Sequence, residues 1–505
     1  MTAWLDRILG RVTMYGLVII SLCFVGAAAL VLSLLGWFSF GPIEILVSAA
    51  VLLVSSYIAN GVFGIIFKSR PQLSSTTITA LLLLFIFVPT VDIFGLAMLA
   101  LASVVAVASK YVLAVRGRHI FNPAAAGAFV VGLLPFLSGT FVTWWLGTAV
   151  MLPFTAVAAF AILFRTRKLW LGGAFVAVAI LGWGINYASF GQSFVDGLAF
   201  GLFSYPVVFF AGFMLSEPLT LPPRRWQQLL EAVIVGVIFA VSFNFFGLFS
   251  ASPQFALLVG NLFAFFFGQR RGIRLTYVGK KQLTPTSWEF EFTPKAPVRF
   301  TAGQFMELSL PHPKTDARGW RRVFSIAAAP GAGANVRFGI RLPESTSSFK
   351  QALLVLEPGA KVSATSVGGD FVLPRGDSPL LLVAGGIGIT PYISQLEALS
   401  ASESTRDVAL VYAISRPDDL AYADMLATTS CKVTVVSATK PTKLPKGWTC
   451  VEAQRLTGEQ LMAAVPDAKS RHTYLSGTPV MVAALKRALR RAGVRRIHTD
   501  VFIGY

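Results

Sequence analysis

The sequence predicts a multi-pass α-helical membrane domain, then an antiparallel β-barrel, then an α/β domain with a parallel sheet. Three observations predict it. Residues 1–269 hold 12 Lys and Arg and 6 Asp and Glu, leaving 31 and 18 for residues 270–505. The chain as a whole is 55% hydrophobic and 13% charged, where an average soluble domain is about a quarter charged. Long apolar stretches give way near residue 272 to short alternating strands, and later to apolar strands separated by helices. The domains are read as 1–270, 271–375 and 376–505.

Apolar stretches fall near 13–36, 43–67, 77–90, 92–109, 120–138, 146–164, 169–187, 195–216, 228–247 and 253–268. Stretches 77–90 and 253–268 are short for a span, which needs about 20 apolar residues, and read as tilted, broken or half-length helices. Basic residues fall in alternate connections: Arg7 and Arg11; Lys68 and Arg70; Lys110, Arg116 and Arg118; Arg165, Arg167 and Lys168; Arg224 and Arg225. The intervening connections contain none. By the positive-inside rule this predicts about ten crossings in the cell membrane with both termini cytoplasmic, and ten allows two inverted repeats of five. The start, MTAWLDRILGRVTMYG, lacks a small-residue cleavage site and reads as a retained tail rather than a signal peptide.

The net charge of +19 does not indicate nucleic acid, because the basic residues of the first half anchor loops and those of the second suit anionic lipid headgroups or polyanionic cofactors. Cys23, Cys431 and Cys450 have no metal spacing, so neither an iron–sulfur cluster nor a disulfide scaffold is expected. Haem is not expected either: His119 is the only histidine before His312, and paired axial ligands need two.

Polar residues beside the spans have two readings each. In RGRHIFNPAAAGAF, His119 and Asn122 precede Pro123 at a helix start, which can face an anionic group with help from Arg116 and Arg118 or form an interfacial cap with positive anchors. Glu217, in FMLSEPLTLPPRRW, binds an ion or cofactor, or faces water at a proline-rich exit. The hydroxyls of SSTTIT, among them Ser75 and Thr79, cap the short third span or bond a buried ligand. Taken together, SSTTITALLLLFIFVPT, GRHIFNPAAAGAFVVGLL and GFMLSEPLT resemble the RnfD/NqrB family of integral membrane redox subunits over most of residues 43–268. The resemblance implies a ten-helix fold and a flavin near Ser75, Thr79, Arg118, His119, Asn122 and Glu217. The family's SGAT-like attachment motif for FMN is absent, and Thr148 in WLGTAV is nearest by position, which leaves a non-covalent FMN or riboflavin.

In the second half, IRLTYVGKKQL, SWEFEFTP, QFMELSLP, RVFSIAA, ANVRFGIRL and AKVSATSV alternate and are separated by Gly and Pro turns, as a small barrel requires. SPLLLVA, DVALVYAIS, CKVTVVSAT and HTYLSG, a helix over 479–492 and a last strand RIHTDVF make a parallel sheet. RRVFSIA offers Arg322 for a phosphate and Ser325 for a ring nitrogen, though R-x-F-S is common in ordinary strands. Ser347 and Ser348 in ESTSSFK have amides for a pyrophosphate, or form an ordinary turn. AGGIGITP combines Gly385, Gly386 and Gly388 with the helix start Thr390–Pro391, a phosphate cradle or a tight turn. SGTPVMV puts Gly477 and Pro479 at a strand's carboxyl edge, where open α/β folds bind ligands. Phe502 and Tyr505 cover a planar ring or dock the last strand.

The succession RVFS, SSF, GGIGITP, SGTPVM and DVFIGY resembles the ferredoxin–NADP+ reductase family over about 272–505. That resemblance implies FAD held by Arg322, Val323, Phe324 and Ser325, with Ser347 and Ser348 at its pyrophosphate. It implies NAD(P)H phosphates at Gly385, Gly386, Gly388, Thr390 and Pro391, and nicotinamide over Gly477, Thr478, Pro479 and Met481. Ser325, Ser476 and Tyr505 become the residues nearest hydride transfer. Phe324 stands where many members have Tyr, and Ser476 where many have Cys. Ser437, Lys440 and Lys443 follow a strand that lacks an acidic residue for a free ribose hydroxyl, which favours NADPH.

The expected function is an NAD(P)H-dependent flavin oxidoreductase that passes electrons through a membrane flavin to an acceptor, such as an extracytoplasmic flavoprotein. One alternative reduces quinone or a cytoplasmic acceptor without crossing the membrane. Another is a redox-driven Na+ or H+ transporter.

Overall fold

A computed structural model describes residues 12–502, with Leu5 and Leu9 before them, apart from 68–71, 116–117, 135–141, 242–243, 246–248, 268–271, 314, 317–318, 332–334, 344–345 and 365–366. Leu9–Arg271 forms one compact unit, and Gly272–Tyr505 makes up the body of the other.

The first unit is helical: α1 (Met14–Leu34), α2 (Pro42–Ile66), α3 (Leu73–Ile86), α4 (Ile93–Val112), α5 (Pro123–Gly132), α6 (Leu152–Arg165), α7 (Leu169–Ser189), α8 (Phe194–Phe203), α9 (Val207–Phe209, continued by a π turn over Phe210–Leu215), α10 (Arg225–Ala240) and α11 (Pro253–Phe267). The ten expected crossings do not form. Among the described residues, α1, α2, α4 and α7 are long and apolar enough to cross a membrane. A fifth span results if α8 and α9, bent by 56° at their break, count as one. Proline is the physical reason, since it lacks an N–H and disfavours helix in the residue before it. Pro89 follows α3, Pro206 stands at the α8–α9 break, and Pro123, Pro153 and Pro253 open α5, α6 and α11. The 14 residues of α3 rise only about 21 Å, short of a hydrocarbon layer of roughly 30 Å.

Burial in this unit is inverted relative to a water-soluble helix. On α2, Ser48, Ser56 and Asn60 are buried, whereas Ile58 and Ile65 are exposed. Asn60 pairs between helices, its Nδ2 donating to Thr76 Oγ1 at 2.7 Å and its Oδ1 accepting from Tyr111 Oη at 2.5 Å, whereas Ser48 Oγ bonds the Thr90 backbone and Ser56 Oγ has no partner.

In the second unit, β1 (Ile273–Thr284), β2 (Ser287–Pro294), β3 (Phe305–Ser309), β4 (Arg321–Ser325), β5 (Val336–Arg341) and β6 (Lys361–Ala364) form an antiparallel sheet in the order β4-β3-β6-β1-β2-β5. The Ala327 amide donates to the Arg337 carbonyl at 2.8 Å and joins its two edges. Register shifts at Tyr277/Gly279 and Gln282/Thr284 let long β1 bend around the barrel. Its interior is alternate residues, Leu275, Tyr277, Phe290, Phe292, Met306, Leu308, Phe338 and Ile340. A short helix, α12 (Ser348–Leu354), lies between β5 and β6.

The parallel sheet comprises β7 (Leu380–Gly385), β8 (Val408–Ala413), β9 (Lys432–Ser437), β10 (Thr449–Glu452), β11 (His472–Gly477) and β12 (Ile497–Val501), in the order β10-β9-β8-β7-β11-β12. Its strands run apolar because both faces are covered: Leu380, Leu382 and Ala384 enter one core and Leu381 and Val383 another. The chain runs outward from β7 to β10 and then returns to β11 on the other side of β7. The order therefore reverses between β7 and β11, and the carboxyl ends of those strands border a crevice of the kind in which α/β sheets take ligands.

Candidate functional site

Gly385 closes β7 and Gly477 closes β11, so both expected glycine loops stand at that reversal. A short 3₁₀ turn, Gly386–Ile389, leads into α13 (Thr390–Ala401). A Cβ on Gly388 would lie 2.7 Å from the Ser476 carbonyl oxygen, and one on Gly385 2.6 Å from Met481 Sδ. Gly386 has φ +53° and nothing within 4 Å of where a Cβ would stand. The loop is thus packed against β11 on its inner side and open outside, with the first amides of α13 behind it, an arrangement that fits a phosphate. Thr390 is buried and its Oγ1 donates to the Ile387 carbonyl at 3.1 Å, fixing the turn. Pro391 is buried beside it in the first turn of α13, where its missing N–H costs nothing.

On β11, Ser476 is fully buried and its Oγ has no partner, while Gly477 adopts φ +153°. Thr478 precedes α14 (Pro479–Arg491) without a side-chain capping bond, and Met481 lies under Gly385. The Phe502 amide donates to the Gly477 carbonyl at 2.9 Å, which brings Phe502 to the crevice. Tyr505 lies outside the described residues. Asp500 pairs in register with Ser476, and burial pushes its carboxyl up to about 6. Sequence reasoning passed over it as part of a terminal strand. Ser437, at the end of β9, is buried with its Oγ unpartnered, and Lys440 and Lys443 beyond it are exposed. Arg416, another residue missed, follows β8 and pairs with Asp419 at 3.3 Å.

The barrel supplies the second half of the site. In β4, Arg322 and Ser325 are buried and Val323 is exposed. Arg322 Nη1 donates to the carbonyls of Gly319 and Arg321 at 3.0 and 2.6 Å, Nη2 lies 3.6 Å from Asp316, and the guanidinium sits over the Phe349 ring at 5.4 Å. Phe324 packs against Phe349 with ring centroids 5.9 Å apart. The Ser348 amide donates to Asp316 Oδ2 at 3.0 Å, and Ser348 Oγ accepts from the Asp316 amide at 2.9 Å. His312 Nδ1 lies 2.8 Å from the Leu310 carbonyl, so it carries the proton and Nε2 accepts from Ser348 Oγ at 2.9 Å. Ser347 is buried with an unpartnered Oγ. The expected Arg322, Phe324, Ser347 and Ser348 are therefore neighbours, and His312, Asp316 and Phe349 join them. A guanidinium, a partnerless buried hydroxyl and a helix start fit a pyrophosphate.

The barrel touches the glycine cradle directly. A Cβ on Gly339 of β5 would lie 2.5 Å from Tyr422 Oη and 2.6 Å from Thr390 Cγ2. Ser394 Oγ of α13 donates to the Ala328 carbonyl at 2.6 Å, and Gln395 Nε2 to the Phe371 carbonyl at 2.8 Å.

In the helical unit a separate polar cluster forms. Glu217 Oε1 lies 2.8 Å from His119 Nε2, and Glu217 Oε2 accepts from Asn122 Nδ2 at 2.8 Å. Asn122 Oδ1 caps α5 by accepting from the Ala125 amide at 3.1 Å. Arg118 donates to the Pro218 carbonyl at 2.9 Å and to that of Leu219. Arg118, His119, Asn122 and Glu217 thus come together, with Asn122 capping α5; Arg116 lies outside the described residues. Ser75 bonds elsewhere: its carbonyl and Oγ each accept from Lys110 Nζ at 3.1 Å, and Thr79 Oγ1 donates to the Ser75 carbonyl at 2.9 Å. Lys110 is near enough to Glu217 for electrostatic attraction.

Residues 382–487 match the family model described as an oxidoreductase NAD-binding domain. The reductase subunit of an aromatic O-demethylase from Amycolatopsis sp. is 27% identical over 218 residues, 41% of this chain and 62% of that protein. The NADH oxidoreductase HCR of Escherichia coli is 24% identical over 44% of this chain and 65% of its own length. Ferredoxin–NADP reductase B of Sorangium cellulosum is 26% identical over 40% of this chain and 84% of that protein. The chain spans less than two thirds of the length of the first two. A solved ferredoxin NADP+ reductase of Neisseria gonorrhoeae with bound FAD and NADP covers 46% of this chain and 98% of its own at 21% identity, with a TM-score of 0.39. The carboxyl-terminal unit is thus similar to ferredoxin–NADP reductase-type oxidoreductases, and its residues 382–487 match an oxidoreductase NAD-binding domain.

Proposed function

We propose that the protein is a membrane-bound NAD(P)H-dependent flavin oxidoreductase that delivers electrons through a flavin of its helical unit to an acceptor in or across the membrane. The observation that carries this reading is the direct abutment of the glycine cradle and the barrel at Gly339 and Thr390, on a chain whose other unit has, among the described residues, four helices long and apolar enough to cross a bilayer. FAD supplies the conversion of a two-electron hydride into single electrons.

The chain's own residues then have defined tasks. Arg322 and Ser347 hold the FAD pyrophosphate at the end of the barrel. Gly385, Gly386 and Gly388 hold the nucleotide phosphates, and Gly477, packed against Gly385 and Met481, lets β11 and the cradle close up beside the barrel. Phe502, carried to Gly477, covers a planar ring and excludes water, and Ser476 and Ser325 hydrogen-bond to the reacting rings. The exposed Lys440 and Lys443 favour NADPH. The Glu217 cluster holds the second flavin by hydrogen bonds.

Purified full-length protein is expected to contain FAD and to bleach near 450 nm (about where oxidised flavin absorbs) on addition of NADPH or NADH. Protein that takes up no flavin, or stays unbleached by both, overturns the reading. Proteoliposomes with NADPH outside and an impermeant oxidant inside separate transmembrane transfer from reduction of quinone within the membrane.

A further inference from the structure

Glu231 lies on α10, in a stretch (RWQQLLEAVIVGVIFA) that gives no hint of a site. It is 0% exposed, and neither carboxylate oxygen has a hydrogen bond of good geometry; the donor that acts on it is the side-chain amide of Asn261. The side chain rests on α11 at Gly260, where an added Cβ would come within 3.4 Å of Glu231 Cγ and Oε1. Beside it stands Asn261, 1% exposed, whose Oδ1 accepts from the Asn122 amide at 2.7 Å and whose Nδ2 has no partner other than Glu231. The helices packed on α10, α7 and α11, contain no Asp, Glu, Lys, Arg or His. The charged group that acts on Glu231 is Lys168, at the start of α7.

An ionised carboxylate with a single amide donor is costly away from water, and such a group neutralises instead. Even the neutral acid costs more here than a leucine, and an acid kept inside an apolar helix bundle points to an ion or proton task. A metal cation suits the place poorly, because the amide hydrogens of Asn261 would face it. A proton suits it.

We propose that Glu231 is a proton-exchange site of the helical unit, neutral at rest and exchanging its proton as electrons pass. The exchange during electron flow rests on the function proposed above. The carboxyl O–H bond breaks heterolytically, its electron pair stays on the carboxylate beside Lys168, the proton leaves to water, and solvent later returns one. No oxidant or reductant is consumed in that step.

Infrared difference spectroscopy of the full-length protein in a bilayer tests it. Oxidised wild type at neutral pH should show a protonated-carboxyl C=O band that shifts in D2O and is missing from Glu231→Gln. Reduction by dithionite should change that band. Lys168→Met should keep the band to higher pH, because the carboxylate loses its cation, and this arm needs no Glu231 variant to fold. No resting band assignable to Glu231, a band unmoved by dithionite, or a titration unchanged in Lys168→Met each overturns the proposal. If dithionite moves the band but NAD(P)H reduces nothing, the proton site stands and the NAD(P)H reading falls.

Discussion

Arg337 of β5 and Glu397 of α13 meet with Nη2 2.6 Å from both carboxylate oxygens, and Glu397 Oε2 also accepts the Ala329 amide at 3.0 Å. One side chain thereby ties two parts of the barrel to the helix that begins at the nucleotide cradle. Glu397→Ala leaves an amide and a guanidinium short of a partner and is expected to cost about 1–3 kcal/mol of stability. Looser alignment of two redox rings is expected to slow flavin reduction roughly 10- to 100-fold. Glu397→Gln, which can still accept from Ala329, should fall between. Stopped-flow reduction by NADPH beside thermal melts checks both, and equal rates in all three proteins would contradict the clamp.

Gly339 makes a sharper demand, because the space its side chain would fill is held by Thr390 and Tyr422. Gly339→Ala must push the cradle away from the barrel. FAD content should stay near that of wild type while reduction by NADPH slows by at least about tenfold. Loss of FAD instead would mean that the strain is relieved within the barrel.

How much of this was legible in the sequence differs by element. β7, β8, β9 and β11 were readable because strands buried on both faces must be apolar throughout. β10 was not: Thr449–Glu452 is a sheet edge, exposed or half-buried at all four positions, so TCVE has no apolar run. The glycine loops were readable because few other residues suit them. Arg337 and Glu397, 60 residues apart, look like ordinary surface charges until the barrel folds against α13. Asp316 and His312 sit in a loop whose role appears only when Ser348 arrives. In the helical unit, hydropathy adds up across prolines that break the helices, which is why stretches of adequate apolar length did not become spans. Glu231 was hidden for the opposite reason, as a single acid near the start of an otherwise unremarkable apolar helix.

Ser348 links the Asp316 loop to α12 through two bonds and a third to His312. Ser348→Ala keeps the backbone bond to Asp316 but loses the hydroxyl's two. FAD should be bound about tenfold more weakly, in line with about 1–1.5 kcal/mol for such bonds. The flavin-to-protein ratio after dilution and gel filtration measures it. Retention equal to wild type would remove this loop from the flavin site.

Asp500 gives a pH dependence with a definite sign. Its folded value of about 6 lies above the ordinary carboxyl value near 3.9, so the folded state prefers the protonated form. The associated stability is fully present below about pH 4 and is lost as pH rises through 6, a change on the order of 3 kcal/mol. Asp500→Asn should therefore match wild type near pH 4 and be more stable at pH 8. Denaturation of the full-length protein at the two pH values decides, and an equal gap at both would show that Asp500 does not titrate in this range.

The Glu217 cluster permits a test confined to the helical unit. Glu217 joins His119, before α5, to Asn122, which also caps that helix. Glu217→Gln keeps one acceptor and removes the charge, so one of the two bonds is lost or reversed. The FAD module lies in the other unit and should be untouched: FAD content and NADPH-driven bleaching are expected to remain. A second flavin held at the cluster should be released or bound at least about tenfold more weakly, and transfer to an oxidant inside proteoliposomes should fall with it. Asn122→Ala should do the same with an added helix-capping loss of about 1 kcal/mol, so its melting shift exceeds that of Glu217→Gln. Flavin counts per chain from acid-extracted protein distinguish the outcomes. A second flavin retained in full by both variants would place the electron carrier elsewhere in the helical unit.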